Sequence, residues 1–132
     1  LLKELQVSLN TALILISHDL AVIASVCSRV YVMYAAQVIE SGSTARIYNA
    51  PAHPYTKALL GSTLDPMQKR DTLTVLTGSI PDLADPPSGC RFHPRCPAKM
   101  DICALQEPPT FDIAPGQTAK CWLHDTRAGV DP

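Results

Sequence analysis

Residues 11–42 read TALILISHDLAVIASVCSRVYVMYAAQVIESG, and their apolar pattern decides the fold. They begin with the almost wholly apolar run TALILIS, which is typical of a strand that is buried on both faces. The next residues, HDLAVIASVCS, have the apolar spacing of a helix. RVYVMYA and AQVIESG then indicate two further strands. This alternation predicts an α/β architecture, in which a layer of strands is covered by helices.

Helical patterns flank this stretch on both sides. LLKELQVSLN precedes it and has leucines at four-residue spacing. After it, STARIYNA predicts a short helix capped by Ser43, and HPYTKALLGS predicts a longer helix with Pro54 in its first turn. We expect the helix of HPYTKALL to dock the rest of the chain onto the α/β part. Residues 1–64 therefore form one predicted unit.

The second half of the chain has a different composition. Residues 65–132 hold ten of the twelve prolines and four of the five cysteines. Because proline excludes long helices and central strands, we predict an irregular extension over residues 65–124 and a flexible tail over residues 125–132. Such a segment buries little apolar surface. Something other than a hydrophobic core is expected to hold it together.

Charge and composition exclude several classes of protein. The net charge of -1 gives no general attraction to nucleic acid, so no nucleic-acid partner is expected. No apolar run has the length of a membrane span, and no signal peptide is visible. Cysteines in a chain without a secretion signal favour metal or redox chemistry over disulfides. The chain starts with Leu1 rather than Met, so we expect it to be part of a longer protein.

His18 is the first candidate functional residue. The stretch LILISHDL places it at the carboxyl end of the predicted strand, immediately before a helix. Ligands of open α/β sheets bind at this edge, and the N-terminus of a helix attracts anions. An imidazole there can donate a hydrogen bond to a phosphate oxygen, and Asp19 suits the first turn of the helix. Position alone leaves the alternative that His18 is an ordinary, partly exposed loop residue.

An ordered set of motifs supports the functional interpretation. LLKELQ, LILISHDLAVIASVCSRVYVMY, QVIESG and NAPAHPYTKALL are followed by GCRFHPRCP and a late cysteine. This order resembles the C-terminal part of the ATP-binding subunit of an ABC transporter, in the dipeptide/oligopeptide importer subfamily. The resemblance implies that residues 1–64 end a P-loop ABC-type nucleotide-binding domain and that residues 65–124 are the C-terminal extension of the subfamily. It also implies that His18 is the catalytic switch histidine, which contacts the γ-phosphate of ATP, and that Asp19 belongs with it to the nucleotide-binding residues and orders the same loop.

The resemblance further implies a biological setting. The parent subunit couples ATP hydrolysis to the uptake of di- or oligopeptides, with ATP and Mg²⁺ as cofactors. It lies on the cytoplasmic face of the inner membrane. Its expected partners are a second ATP-binding subunit, two membrane permease subunits and, indirectly, an extracytoplasmic substrate-binding protein.

The sequence also departs from the family pattern. It has no GxxxxGKS/T loop, no LSGGQ-like signature and no apolar run that ends in Asp-Glu for Mg²⁺. We therefore predict that this chain does not hydrolyse ATP alone. A smaller departure is Ala36, where the family often has a turn glycine, and alanine there predicts a turn without a positive φ.

Four cysteines form the second candidate site. Cys90, Cys96, Cys103 and Cys121 are separated by wider gaps than the tight pairs typical of zinc sites, which suits a larger iron–sulfur cluster. Zinc, unligated thiols or a disulfide are the alternatives that the residues leave open. The resemblance implies a 4Fe-4S cluster, because some members of the subfamily carry one on this extension. A stand-alone iron–sulfur or zinc module without ATPase activity is the alternative function.

Other polar residues lie near these cysteines in sequence. His93 and His124 are expected to lie around the site or on the surface rather than to act as ligands. Arg91 and Arg95 either offset the negative charge of a thiolate-bound cluster or belong to a solvated loop. Cys27 lies on the apolar face of a predicted helix and is expected to be a buried thiol.

Overall fold

The computed structural model describes residues 2–63, 78–79 and 81–126 as a mixed α/β fold. The α/β class is therefore confirmed. Of the predicted parts, the boundary at residues 64 and 65 and the tail from residue 127 lie outside the described residues, so this division stays a prediction. In chain order the elements are α1 (Leu2–Leu9), α2 (Leu20–Val26), β1 (Arg29–Tyr34), β2 (Gln37–Ser43), α3 (Thr44–Asn49), α4 (Pro54–Thr63), a 3-10 turn (His93–Arg95), α5 (Asp101–Leu105), β3 (Phe111–Ala114), β4 (Gln117–Ala119) and a second 3-10 turn (Trp122–His124).

The helices of the first half lie where the apolar spacing predicts them. Asp19 caps α2, since its Oδ1 accepts hydrogen bonds from the backbone N–H groups of Ala21 and Val22 at 2.9 and 3.0 Å. Ser43 caps α3 in the same way and accepts from the N–H of Arg46 at 3.3 Å. None of the helices in this described part has the length and apolar character needed to span a bilayer.

The strands form one antiparallel sheet in the order β1-β2-β4-β3. β1 and β2 form a hairpin, and β4 pairs with the other side of β2, where Glu40 lies opposite Ala119. The N–H of Lys120 extends this pairing by donating to Ile39 O at 2.8 Å. The C-terminal extension thus completes the sheet that the first half begins.

The prediction of an irregular extension is wrong for Asp101–Leu105, Phe111–Ala114 and Gln117–Ala119, which form α5, β3 and β4. The prediction holds for the proline-rich loop that precedes α5. Among the described residues 78–79 and 81–100, the one regular element is a 3-10 turn. Strands of three and four residues carry too little alternation to stand out from a sequence. β4 pairs with β2, which lies far away along the chain, and β3 pairs with β4.

The predicted strand TALILIS is also wrong. Residues 12–16 have no regular secondary structure, and Ile14 and Ile16 are 89% and 94% exposed. A buried strand takes its backbone hydrogen bonds from neighbouring strands. None of the strands within the described ranges lies beside this segment. The apolar side chains that predicted burial therefore face outward here.

The turn between β1 and β2 contradicts the prediction for Ala36. Tyr34 pairs with Gln37, so the loop has two residues, and both are left-handed, with φ of 46° at Ala35 and 63° at Ala36. Two-residue hairpin loops take this conformation because its twist matches the twist of the strands. The geometry of the hairpin therefore overrides the preference of alanine for negative φ.

The apolar core lies between the inner face of the hairpin, α3, α4 and the cysteine-bearing loop. Val30, Val32 and Tyr34 point inward from β1 at alternate positions. Phe92, from the extension, is 1% exposed and packs edge-on against Tyr34 at a centroid distance of 5.1 Å. Tyr55 of α4 contacts the same ring at 5.5 Å. The expected docking of the extension on the helix of HPYTKALL is thereby confirmed.

Glu40 brings a buried polar side chain into this core, at 1% exposure. Its Oε1 accepts hydrogen bonds from the N–H of Ala52 at 2.8 Å and from Nε2 of Gln117 at 3.0 Å. Its Oε2 accepts from the N–H of His53 at 2.9 Å. Hydrogen bonds to a charged group are worth about 1.5 to 3 kcal/mol each. They compensate for the removal of this carboxylate from water.

We predict that Ala36→Gly stabilises the chain by about 1 kcal/mol, because glycine adopts a positive φ without the steric cost that a Cβ imposes. The gain is smaller than the full strain because glycine also loses more chain entropy on folding. The free energy of unfolding, measured by urea denaturation, checks this.

The matched control is Ala24→Gly, the same change at an exposed position in the middle of α2. Here glycine costs about 1 kcal/mol because the backbone is helical. If Ala36→Gly and Ala24→Gly lowered the free energy of unfolding by the same amount, the left-handed conformation of the turn would be contradicted.

Candidate functional site

His18 lies in an exposed loop immediately before α2. The carboxylate of Asp19 caps the helix, and the hydroxyl of Ser17 accepts a hydrogen bond from the N–H of Asp19 at 3.0 Å. The loop is therefore fixed on both sides of Asp19 by short-range hydrogen bonds. These leave the imidazole of His18 facing solvent, where it can reach a ligand.

The helix behind His18 is attached to the core by α3. The hydroxyl of Tyr48 donates to Leu20 O in the first turn of α2, and Ile23 packs against the core cluster. Burial raises the pKa of Tyr48, which keeps its hydroxyl protonated and able to donate. A further hydrogen bond runs from the hydroxyl of Thr44 to Cys27 O at the end of α2. Both ends of α2 are thus tied to the α3 side of the fold.

The cysteine-bearing loop folds back on α5. The N–H of Cys90 donates to Cys103 O at 2.8 Å, which brings the first and third cysteines together. Gly89 allows this approach, since it has a φ of 65° and a Cβ at its position would lie 2.4 Å from Cys103 O. Any side chain at residue 89 would force this contact apart.

The four predicted cysteines lie close together in space. Burial raises the pKa of the Cys90 and Cys96 thiols, and the neighbouring thiols raise both pKa values further. Burial, together with the charges of the other three cysteines, raises the pKa of Cys121 to about 12. All four are free thiols. The structure thus brings Cys121 to the other three across the seventeen residues that separate it from Cys103.

Backbone N–H groups point at three of these sulfurs. The N–H groups of Phe92 and His93 hydrogen-bond to Cys90, that of Ala98 to Cys96 and that of Leu123 to Cys121, and each lowers the pKa of the thiol that it contacts. This effect is smaller than that of burial. Such donors favour the thiolate form, which is the form that binds metals.

The candidate ligands at this site are four cysteine thiols. Among the described residues, no group of three or more histidine, cysteine or acidic side chains lies close enough to hold one metal ion. The four cysteines are not disulfide-bonded, and three of them, Cys90, Cys96 and Cys121, have backbone donors. Cysteine thiolates are the usual ligands of iron–sulfur clusters and also bind zinc, so the residue types suit either group.

The two nearby histidines form hydrogen bonds with backbone carbonyl groups. Nδ1 of His93 donates to Cys90 O at 2.9 Å, and Nε2 of His124 donates to Ala52 O at 3.2 Å. They order the backbone around the cysteines, as expected of residues that surround a site. Nη1 of Arg91 donates a hydrogen bond to Ala35 O in the hairpin turn. Its main contact therefore ties the cysteine-bearing loop to the hairpin.

Cys27, the fifth cysteine, is half-buried and ends α2, where its N–H donates to Ile23 O at 2.9 Å. After burial, the neighbouring Cys27 thiol is the second cause that raises the pKa of Tyr48. The prediction of a buried helical thiol is thus met in part, since the residue follows the last turn of the helix.

Sequence reasoning missed Glu40, Gln117 and the role of His53. Glu40 lies in VIESG, between apolar and small residues. From the sequence alone, a buried glutamate at this position cannot be distinguished from one on the exposed face of a strand. Burial lowers the pKa of His53 to about 4, so its ring is neutral near pH 7 and Nδ1 accepts a hydrogen bond from the N–H of Tyr55 at 3.0 Å. The ring lies 5.6 Å from that of Phe92.

Comparison with known proteins places these features in a family. Residues 39–103 match the family described as "Oligopeptide/dipeptide transporter, C-terminal region". The chain is 45% identical over 121 residues to the dipeptide transport ATP-binding protein DppD of Escherichia coli K12, which covers 92% of the chain and 37% of that protein. It is 44% identical over 128 residues to the Bacillus subtilis protein of the same name, with 97% and 38% covered.

A putative peptide import ATP-binding protein of Brucella ovis is 42% identical over 122 residues, which cover 92% of the chain and 38% of that protein. The chain therefore spans less than two fifths of the length of each of these relatives. The chain is thus similar to ATP-binding proteins of dipeptide and peptide import, and its residues 39–103 match the C-terminal region of oligopeptide/dipeptide transporters.

Proposed function

We propose that this chain is the part of a peptide-importer ATP-binding subunit that senses bound nucleotide and carries a cysteine-ligated cluster. The observation that supports it best is an identity of 42 to 45% to ATP-binding proteins of dipeptide or peptide import along more than nine tenths of the chain. The subunit binds ATP and Mg²⁺ and drives uptake of di- or oligopeptides. The phosphate-binding loop, the signature motif and the Mg²⁺ carboxylates are not in this sequence.

In this proposal His18 contacts the γ-phosphate of ATP. Its exposure at the start of α2 and the cap by Asp19 support the role, since they hold the imidazole where it can donate to an anion. The residue acts by position and charge, as is usual for phosphoryl transfer. Asp19 orders the loop rather than touching the phosphate, because its carboxylate is used by the helix N–H groups.

The proposal also assigns partners and a location. The subunit pairs with a second ATP-binding subunit and docks on two permease subunits at the cytoplasmic face of the inner membrane, and a substrate-binding protein delivers the peptide on the other side. The exposed apolar side chains of residues 13–16 support association with further protein, since Ile14 and Ile16 are almost fully accessible.

The four cysteines are proposed as ligands of a 4Fe-4S cluster with a structural role. Their mutual proximity and their backbone donors support this assignment. Zinc is the alternative occupant, since four cysteines also make up structural zinc sites. The cluster links the loop of Cys90, Cys96 and Cys103 to the segment of Cys121.

We predict that His18→Ala lowers the ATP turnover of the intact subunit about a hundredfold, with binding of ATP retained, since a lost donor to developing charge acts mainly on turnover. Phosphate release and nucleotide binding are measured on the assembled transporter. Ser25→Ala, on the same helix, is the control, because its hydroxyl is hydrogen-bonded to Val22 O. Normal turnover by the His18 variant would overturn the proposed contact.

The cluster is tested in the intact subunit purified without oxygen. We expect a brown protein with about four irons per chain and matching sulfide, and loss of both in Cys96→Ser. Cys27→Ser removes a cysteine outside the site and should leave the metal content unchanged. One zinc per chain, or no metal, contradicts the proposed cluster.

A further inference from the structure

Cys121 reaches the other cysteines from a different element. Cys90, Cys96 and Cys103 belong to one loop and the helix that follows it, whereas Cys121 comes two residues after β4. Because β4 pairs with β2 through Glu40–Ala119 and Ser41–Thr118, the position of Cys121 depends on how β4 is held against β2. Two backbone-paired positions form a short ladder, which is weak in isolation.

The buried carboxylate of Glu40 strengthens this short ladder. It accepts two backbone N–H groups from the segment between α3 and α4, those of Ala52 and His53 at 2.8 and 2.9 Å. It also accepts Nε2 of Gln117, the first residue of β4, at 3.0 Å. The second N–H of the Gln117 amide donates to Ala50 O at 2.9 Å. Glu40 and Gln117 are each 1% exposed, so water does not compete for these contacts.

The same region also holds the other three cysteines. His53, whose N–H binds Glu40, packs its ring against Phe92, which lies between Cys90 and Cys96 in sequence. Lys120 lies between β4 and Cys121. Its N–H donates a hydrogen bond to the carbonyl oxygen of Ile39, the residue before Glu40 in β2. Glu40 is thus linked to the loop of three cysteines through His53 and Phe92, and to the segment of Cys121 through the pairing of β4 with β2.

We propose that Glu40 is a positioning residue for the four-cysteine site, because its buried carboxylate fixes β4 on the body of the fold and so sets where Cys121 lies relative to Cys90, Cys96 and Cys103. The part of this inference that concerns a bound cluster rests on the proposed function. The part that concerns the placement of Cys121 is independent of the proposed function.

The test uses Glu40→Gln in the intact subunit, prepared both as isolated without oxygen and after removal of metal. In the metal-free protein, alkylation by iodoacetamide is followed for each cysteine peptide by mass spectrometry. We expect the alkylation rate at Cys121 to rise about tenfold over the wild type. The loss of one hydrogen bond to a buried charged group makes opening of β4 easier by about this factor. The rate at Cys27 should not change. In the protein as isolated, the visible absorption of the cluster should be lost faster to an iron chelator.

Two further variants make the result decisive. Gln117→Leu removes the β4 side of the contact while Glu40 keeps its two backbone donors, and it should show the same selective rise at Cys121 even if Glu40→Gln fails to fold. Glu107→Gln is the matched control, because this exposed carboxylate pairs with Lys120 Nζ at 2.9 Å, next to Cys121, without being buried. It should leave Cys121 unchanged.

The outcomes separate the two proposals. A selective rise at Cys121 in a subunit that holds neither iron nor zinc supports the positioning role and rejects the cluster. Wild-type alkylation rates at Cys121 in both the Glu40 and the Gln117 variants overturn the positioning role, whether or not iron is present. An equal rise at Cys27 and Cys121 also overturns it, because that pattern reports general loosening of the fold.

Discussion

The contact on which the rest of this structure depends is the buried carboxylate of Glu40. It joins three parts of the chain that are distant in sequence: the β1–β2 hairpin, the segment that leads into α4, and β4 of the extension. A carboxylate removed from water is stable only when donors surround it. The chain must therefore bring Gln117 and the N–H groups of Ala52 and His53 together, and this requirement fixes the extension on the body.

Around this polar centre the extension has a small apolar anchor, Phe92, and four sulfurs. Phe92 fills a site lined by the rings of Tyr34, Tyr55 and His53. The cysteine-bearing loop otherwise contains many prolines and little regular structure, so its cohesion comes from few contacts. Burial raises the pKa of the Cys90 and Cys96 thiols in this loop, and of Cys121 in the segment after β4.

The sequence predicted the local features well and the long-range ones poorly. The caps by Asp19 and Ser43, the hairpin strands and α4 follow from nearby residues, and they lie where expected. TALILIS failed because the conformation of a buried strand depends on neighbours that are not among the described strands. β4 and the burial of Glu40 were missed because both arise from a pairing between residues about eighty positions apart. The role of the four cysteines as ligands of one group stays a prediction, and the link of Cys121 to β4 was not expected.

Amide hydrogen exchange tests the central role of the Glu40 contact most directly, because three amides report on it without any mutation. The N–H groups of Ala52 and His53 donate to Glu40, and that of Lys120 donates beside it to Ile39. We predict that all three exchange only through global unfolding, far more slowly than the amides of the exposed segment 12–16 in the same chain. Exchange of Lys120 as fast as that segment, with Ala52 and His53 still protected, would contradict the account, because β4 would then open independently of the carboxylate said to hold it.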